Sequence, residues 1–252
     1  MEMEQKAIIE TEELTKTYNG QAAVDRLSFN VNEGEIFGFL GPNGAGKTTT
    51  LLMLLGLTEP TAGKARVLGV DPARDPVRVK GMIGYLPENM GFYRNMNAWQ
   101  SLMYIAELNG LSQDAANVRI ENALKTVSLL DEAEKKVGAY SRGMRQRLGI
   151  AEVLVKEPKV AFLDEPTLGL DPDTANRMIE LVEGLCRVKG MTVLLSSHLL
   201  HQVQKICHRV GIMINGRMVA QGQMDQLAEE KLGVGREQYT LEEIYMKYFR
   251  EA

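Results

Sequence analysis

The sequence predicts an α/β fold in which a mostly parallel sheet is flanked by helices, with an antiparallel β subdomain at the N-terminus and an inserted α-helical subdomain. Three observations predict it. A short apolar strand, a glycine-rich loop and an apolar helix follow one another over residues 35–55. Two further continuous apolar runs, at residues 160–163 and 192–195, flank a helical stretch at 173–189, as central parallel strands joined by a right-handed crossover do. Between these regions, from Asn97 to about Leu130, apolar residues recur with helical spacing.

Along the chain, residues 8–32 alternate apolar and polar side chains and break at Tyr18-Asn19-Gly20, predicting two or three strands of a small antiparallel sheet. Short strands are expected near 65–68 and 82–86, among glycines and prolines. A hairpin turning at Asn215-Gly216 closes the strand series. Residues 240–249 form an amphipathic helix with Leu241, Ile244, Tyr245, Tyr248 and Phe249 on one side. We therefore expect one domain: residues 1–87 and 157–225 as the core with its β subdomain, 88–156 as the helical subdomain, and 226–252 as a helical tail.

The loop after the first apolar strand carries the chemistry. Gly41, Pro42, Asn43, Gly44, Ala45, Gly46, Lys47 and Thr48, followed by Thr49, match G-x-x-x-x-G-K-[ST] between a strand and a helix, so the core is that of a P-loop nucleoside triphosphatase. Glycines let successive backbone N–H groups point inward, the helix N-terminus adds partial positive charge, and Lys47 reaches terminal phosphates. Thr48 offers a hydroxyl to magnesium. A plain glycine turn accounts for neither the lysine nor the threonine.

The run at 160–163 ends in Asp164-Glu165, two carboxylates delivered to the carboxyl edge of a parallel sheet, where the glycine loop also lies. Asp164 is placed to hold magnesium through its hydration shell, and Glu165 to take a proton from a water attacking the terminal phosphate. Their mutual repulsion needs a compensating cation. Ser196-Ser197-His198 ends the next run, so His198 should emerge at the same edge, within reach of the terminal phosphate. Tyr18, beside Asn-Gly, reads from its residues alone as a turn-packing side chain.

Composition narrows the partners. A formal net charge of −4 does not point to nucleic acid as the main partner, although a local basic patch can hide in an acidic total. The longest apolar runs are far shorter than a membrane span, and the N-terminal MEMEQKAIIE lacks the pattern of a signal peptide, so a cytoplasmic chain is expected. Cys186 and Cys207 lack metal-ligand spacing and read as buried thiols.

Tyr140-Ser141-Arg142-Gly143-Met144-Arg145-Gln146-Arg147-Leu148, with Leu163-Asp164-Glu165-Pro166-Thr167-Leu168-Gly169-Leu170-Asp171 close behind, resembles the nucleotide-binding domain of ABC transporters. The resemblance runs over nearly the whole chain. It implies ATP and Mg2+ as ligands, residues 41–48 as the Walker A loop, Asp164 as the end of Walker B, Glu165 as catalytic base, His198 as the switch histidine, and a D-loop ending at Asp171. It also makes Tyr18 an adenine-stacking aromatic. Ser141, Arg142, Gly143 and Met144 stand at the signature loop that caps ATP held by a second subunit; Arg142 and Met144 depart from the usual Ser-Gly-Gly-Gln. Glu88 stands where the family usually has a glutamine facing magnesium, a position a carboxylate can also serve, or it is a solvated loop residue.

The details look most similar to ATPase subunits of ABC-2 type exporters. That group includes drug, polysaccharide, sodium and haem-related exporters and the ATPase of the copper-site maturation system of nitrous oxide reductase, toward which residues 85–93 lean. The resemblance implies separate transmembrane permease subunits, a second nucleotide-binding subunit, and a peripheral place on the cytoplasmic face of the membrane. An ABC-type ATPase acting on nucleic acid or ribosomes is the rival, but neither a long coiled-coil insertion nor a second P-loop is present.

Overall fold

The computed structural model describes residues 6–234 and 239–251; the first five residues of the N-terminal stretch read for a leader lie outside them. Strands β1 (Ala7–Tyr18) and β2 (Gln21–Asn32) form an antiparallel hairpin. Its turn, Asn19-Gly20, has φ of 48° and 80°, the paired left-handed conformations of a type I′ turn, whose twist suits the strands it joins. Strand β3 (Ile36–Leu40) then enters the core with all five residues buried, and helix α1 (Lys47–Leu54) leaves the glycine loop that follows. Strand β4 (Ala62–Val67) returns to pair antiparallel with β1, making a three-stranded sheet of order β2-β1-β4. The apolar patch near 65–68 thus belongs to the small sheet.

After helix α2 (Pro76–Met82), strand β5 (Ile83–Leu86) opens the edge of the large sheet. Helices α3 (Ala98–Leu108) and α4 (Gln113–Thr126) divide the helical stretch at Asn109-Gly110, where Gly110 is left-handed at φ 73°. Asn97 and Gln100 close a reciprocal capping box on α3, and Ser112 caps α4. Helix α5 (Arg142–Val155) leads to strand β6 (Val160–Asp164), helix α6 (Pro172–Lys189), strand β7 (Thr192–Ser197) and the short helix α7 (Leu200–Ile206). Strands β8 (Arg209–Ile214) and β9 (Arg217–Gly222) make a hairpin, and helices α8 (Met224–Leu232) and α9 (Leu241–Glu251) finish the chain.

The large sheet has the order β5-β6-β7-β3-β8-β9, parallel throughout except for the β8–β9 pair. Its period-2 alternation separates two cores. Phe37, Phe39, Phe162 and Leu194 face the small sheet and α1, and Phe29 of β2 stacks on both Phe37 and Phe39 with centroids 5.7 and 5.5 Å away. Ile36, Leu40, Ala161, Leu163, Val193 and Leu195 join the core that also contains the helices. Strands buried on both faces carry no polar alternation, which is why their sequences read as continuous apolar runs.

Helices α2 and α7 carry no assignment from the sequence, whereas α8 falls largely within the expected helical tail. Both α2 and α7 span only seven residues; α7 has no side-chain N-cap, and α2, though capped by Asp75 with Pro76 following it, is too short to show helical periodicity. The C-terminal helix forms, but its aromatic side divides: Leu241, Ile244 and Tyr248 are buried, whereas Phe249 is exposed and stacks on Tyr245 at 5.9 Å. Among the described residues no helix is long and apolar enough to cross a membrane.

Phe162, fully buried in the middle of β6, packs in the core between the large sheet and the small one. Phe162→Ala should lower unfolding free energy by about 3–5 kcal/mol in urea titration. A loss below about 1 kcal/mol would show that the core collapses around the missing ring.

Candidate functional site

Parallel register sets the floor of the site. Leu40 of β3 lies opposite Ser197 of β7, and Ser196 opposite Asp164 of β6, so three strands end almost level. The glycine loop, the Asp164-Glu165 pair and His198 all emerge from that edge. An open cavity of about 460 Å³ there is lined by Tyr18, Pro42 through Thr49, Glu88, Asp164 and Glu165.

The loop's shape is forced by its neighbours. Gly46 has φ 102°, and a Cβ on it would stand 2.4 Å from the Ala23 carbonyl oxygen of β2; Gly41 likewise leaves room for the Met213 carbonyl, 2.3 Å from where a Cβ would be. The β8–β9 turn braces the loop as well: Gly216 N–H donates to Ala45 O (3.1 Å), and Asp25 N–H donates to Gly216 O (2.8 Å). No side chain caps α1 at Gly46, so its first amides are left to serve an anion.

Lys47 begins α1 and is nearly fully buried. Its ammonium donates to Gly41 O (2.7 Å) and Pro42 O (3.3 Å) and lies 3.8 Å from Glu165 Oε1. Burial pushes the Lys47 pKa below the usual lysine value, while the charges of Glu165, Asp164 and Glu88 act in the opposite direction. Thr48 Oγ1 donates to Asp164 Oδ2 at 3.1 Å. Two hard oxygens thus converge beside the loop, the donor type magnesium prefers, so Thr48 and Asp164 fit such an ion and would hold it. Among the described residues there is no cluster of three or more acidic, histidine or cysteine side chains that could hold a metal by itself.

The other oxygen of Asp164 accepts from the Ser196 hydroxyl, and Ser196 also receives the Glu165 N–H on its hydroxyl (3.2 Å) and carbonyl (3.1 Å). These bonds hold Glu165 in a left-handed conformation, φ 49°, costing about 1–3 kcal/mol for a residue with a side chain. Glu165 Oε2 accepts from His198 Nδ1 at 2.9 Å. On β5, burial and the charges of Asp164 and Glu88 push the Tyr85 phenol up to about 12, so it stays a neutral group beside the carboxylates.

Other residues singled out from the sequence lie further out. Tyr18 is at the end of β1 with its ring exposed on the cavity, and Lys16 Nζ sits 5.0 Å from the ring centroid. Glu88 is exposed at the cavity rim. Ser141 caps α5, its hydroxyl accepting from Met144 N–H at 3.2 Å, and Ser141 and Arg142 are exposed. Gly143 is packed so closely on α6 that a Cβ would stand 2.5 Å from Thr174 Cγ2. None of Ser141, Arg142, Gly143 and Met144 lines the cavity of their own chain, and neither does Asp171, which caps α6 through Thr174 N–H (3.0 Å).

Sequence reading passed over Ser196 as a site residue. The available signal was a hydroxyl replacing an apolar residue just where a buried run ends. The bracing by Ala23, Asp25 and Gly216 leaves no signal in the loop itself.

A glycine loop around a buried lysine, opposed by two carboxylates at the carboxyl edge of a parallel sheet, defines a P-loop nucleoside triphosphatase. The chain belongs to the ABC transporter family, whose model matches residues 24–168, and it is an ATP-binding ATPase of that family. It is 41% identical over 220 residues to the bacitracin transport ATP-binding protein of Bacillus licheniformis, covering 87% of this chain and 71% of that protein. With the Nod factor export ATP-binding protein I of Burkholderia pseudomallei it shares 38% identity over 227 residues, 90% of this chain and 74% of the other. Among solved structures, an ATP-binding subunit of an ABC transporter superposes with a TM-score of 0.85 at 29% identity, covering 96% and 99% of the two chains. A Clostridium perfringens protein, cbiO1, part of the transporter complex cbiONQ, reaches 0.82 at 30% identity over 90% and 92%.

Ser196 serves Asp164 and Glu165 at once, so Ser196→Ala should reduce unfolding free energy by about 1–3 kcal/mol and weaken ATP binding. Urea titration and fluorescent-nucleotide titration measure the two effects; unchanged affinity would mean that Thr48 alone holds Asp164 in place.

Proposed function

We propose that the chain is the ATP-hydrolysing subunit of an exporter, working as a homodimer or with a paralogue on the cytoplasmic face of the cell membrane and driving separate transmembrane permease subunits. The observation that carries this reading is the divided site. Lys47, Thr48, Asp164 and Glu165 converge on one cavity, with His198 hydrogen-bonded to Glu165, while the exposed helix start at Ser141 stands outside it. A second subunit resolves the division: Ser141, Arg142, Gly143 and Met144 of one copy cap the ATP cradled by the loop of the other. The name of the Nod factor export relative supports the outward direction.

In this reading the backbone of residues 41–46, the Lys47 ammonium and Thr49 bind the phosphates, and the exposed Tyr18 ring stacks on adenine. Thr48 and Asp164 would hold Mg2+, with Glu88 at the rim; the bound ion would neutralise charge on the phosphates. Glu165 takes the proton of the attacking water, and His198, already hydrogen-bonded to Glu165, is oriented toward the terminal phosphate. Asp171 belongs to the loop that meets the second subunit. Closure of two ATP-loaded subunits is the stroke, and hydrolysis releases it.

Glu165→Gln should keep ATP binding and cut turnover by about 10²–10⁴-fold, leaving an ATP-dependent dimer visible by size-exclusion chromatography. Turnover near the wild-type rate would remove Glu165 from the role of base. For Tyr18→Ala, nucleotide titration should show weaker ATP binding by about fivefold, the worth of one stacking contact, with little change in kcat.

A further inference from the structure

A second connection joins the two arms of the hydrolytic site behind the reacting groups. Thr167 lies two residues beyond Glu165, and Gln202 four residues beyond His198 on α7. The Thr167 hydroxyl donates to Gln202 Oε1 at 2.6 Å, and both side chains are buried, at 2% and 4% exposure. Neither side chain lines the nucleotide cavity. This buried bond between polar side chains therefore joins a loop to a helix 35 residues further along the chain.

Each end of the bond is firmly seated. Thr167 sits in a tight turn in which Leu168 N–H donates to Glu165 O (3.1 Å) and Leu170 N–H to Thr167 O (3.2 Å). Its position is thus tied to the peptide that carries Glu165. Helix α7 packs on the central strand through Val203 and Cys207; a Cβ on Gly38 would stand 2.6 Å from Val203 Cγ1 and 3.0 Å from Cys207 Sγ. At the N-terminal end of α7, the end joined to His198, Leu199 N–H donates to Ser197 Oγ (3.0 Å) and Gln202 is buried.

We propose that Thr167 and Gln202 are positioning residues for ATP hydrolysis: their buried hydrogen bond links the Glu165 loop to the His198 helix, so that base and histidine keep the 2.9 Å contact as one unit. This rests on the assignment of Glu165 and His198 to hydrolysis made above. The bond also joins that pair to the turn that leads toward Asp171.

Thr167→Val and Gln202→Met remove the bond while keeping shape. Steady-state ATPase kinetics should show kcat lower by about three- to tenfold, the rate equivalent of one hydrogen bond, with KM for ATP and fluorescent-nucleotide affinity within about twofold. The double variant should be no slower than either single one, because both delete the same bond. Thr167→Ser, which keeps the hydroxyl, should recover most of the lost kcat. Glu165→Gln is assayed beside them. If it abolishes turnover while Thr167→Val and Gln202→Met run at the wild-type rate, the link is refuted and the base assignment stands; if Glu165→Gln turns over normally, the underlying assignment fails instead. Loss of nucleotide affinity and melting temperature in step with kcat, or failure of both variants to fold alongside a fully active Thr167→Ser, would mark a packing contact and overturn the positioning role.

Discussion

The level carboxyl edge of β6, β7 and β3 is the constraint on which the rest of the molecule depends. Parallel pairing of Asp164 with Ser196 and of Ser197 with Leu40 places a carboxylate pair, a serine-histidine turn and a glycine loop side by side. A shift of one residue in that register would turn every inward side chain of a strand to the opposite face. Both faces are apolar, so what opposes such a shift is close packing: the rings of Phe37, Phe39 and Phe162 fill one core and the aliphatic Ile36, Leu40 and Leu163 the other. The same apolar packing that stabilises the sheet therefore aligns the chemistry.

Close backbone approach is the second requirement. The loop at 41–46 is wedged between the carbonyls of Ala23 and Met213 and tied to the Asn215-Gly216 turn, so its amides keep a fixed direction before any phosphate arrives. Preorganised donors of this kind lose little on binding, which is where a site of backbone groups obtains its strength. Negative charge from Asp164 and Glu165 faces the buried ammonium of Lys47, so the partners are in place but mutually opposed. A triphosphate with a divalent cation meets both signs of charge at once.

Much of this was legible in the chain. The spacing of Gly41, Gly46, Lys47 and Thr48 is local, and a loop of that kind needs only a strand before it and a helix after it. Asp164, Glu165 and His198 follow buried apolar runs directly, so their placement at a sheet edge needs only the rule that parallel strands present their carboxyl ends together. Short helices such as α2 and α7 stayed hidden because tertiary packing, and not propensity, holds seven-residue helices together. The pairing of β4 with β1 was hidden for a related reason: sheet membership is a non-local choice, and an isolated run such as Ala65-Arg66-Val67-Leu68 suits either sheet.

By itself the sequence determined the class of fold, the triphosphate loop and the acidic pair, because each depends on residues adjacent in the chain. Only the tertiary structure decided that Ser196 joins Asp164 to Glu165, that His198 meets Glu165, and that Thr167 reaches Gln202. It also decided that the exposed start of α5 at Ser141 stands apart from its own chain's cavity. These are contacts between residues some 30 positions apart, and their partners are chosen by strand register and helix packing, which no local spacing encodes.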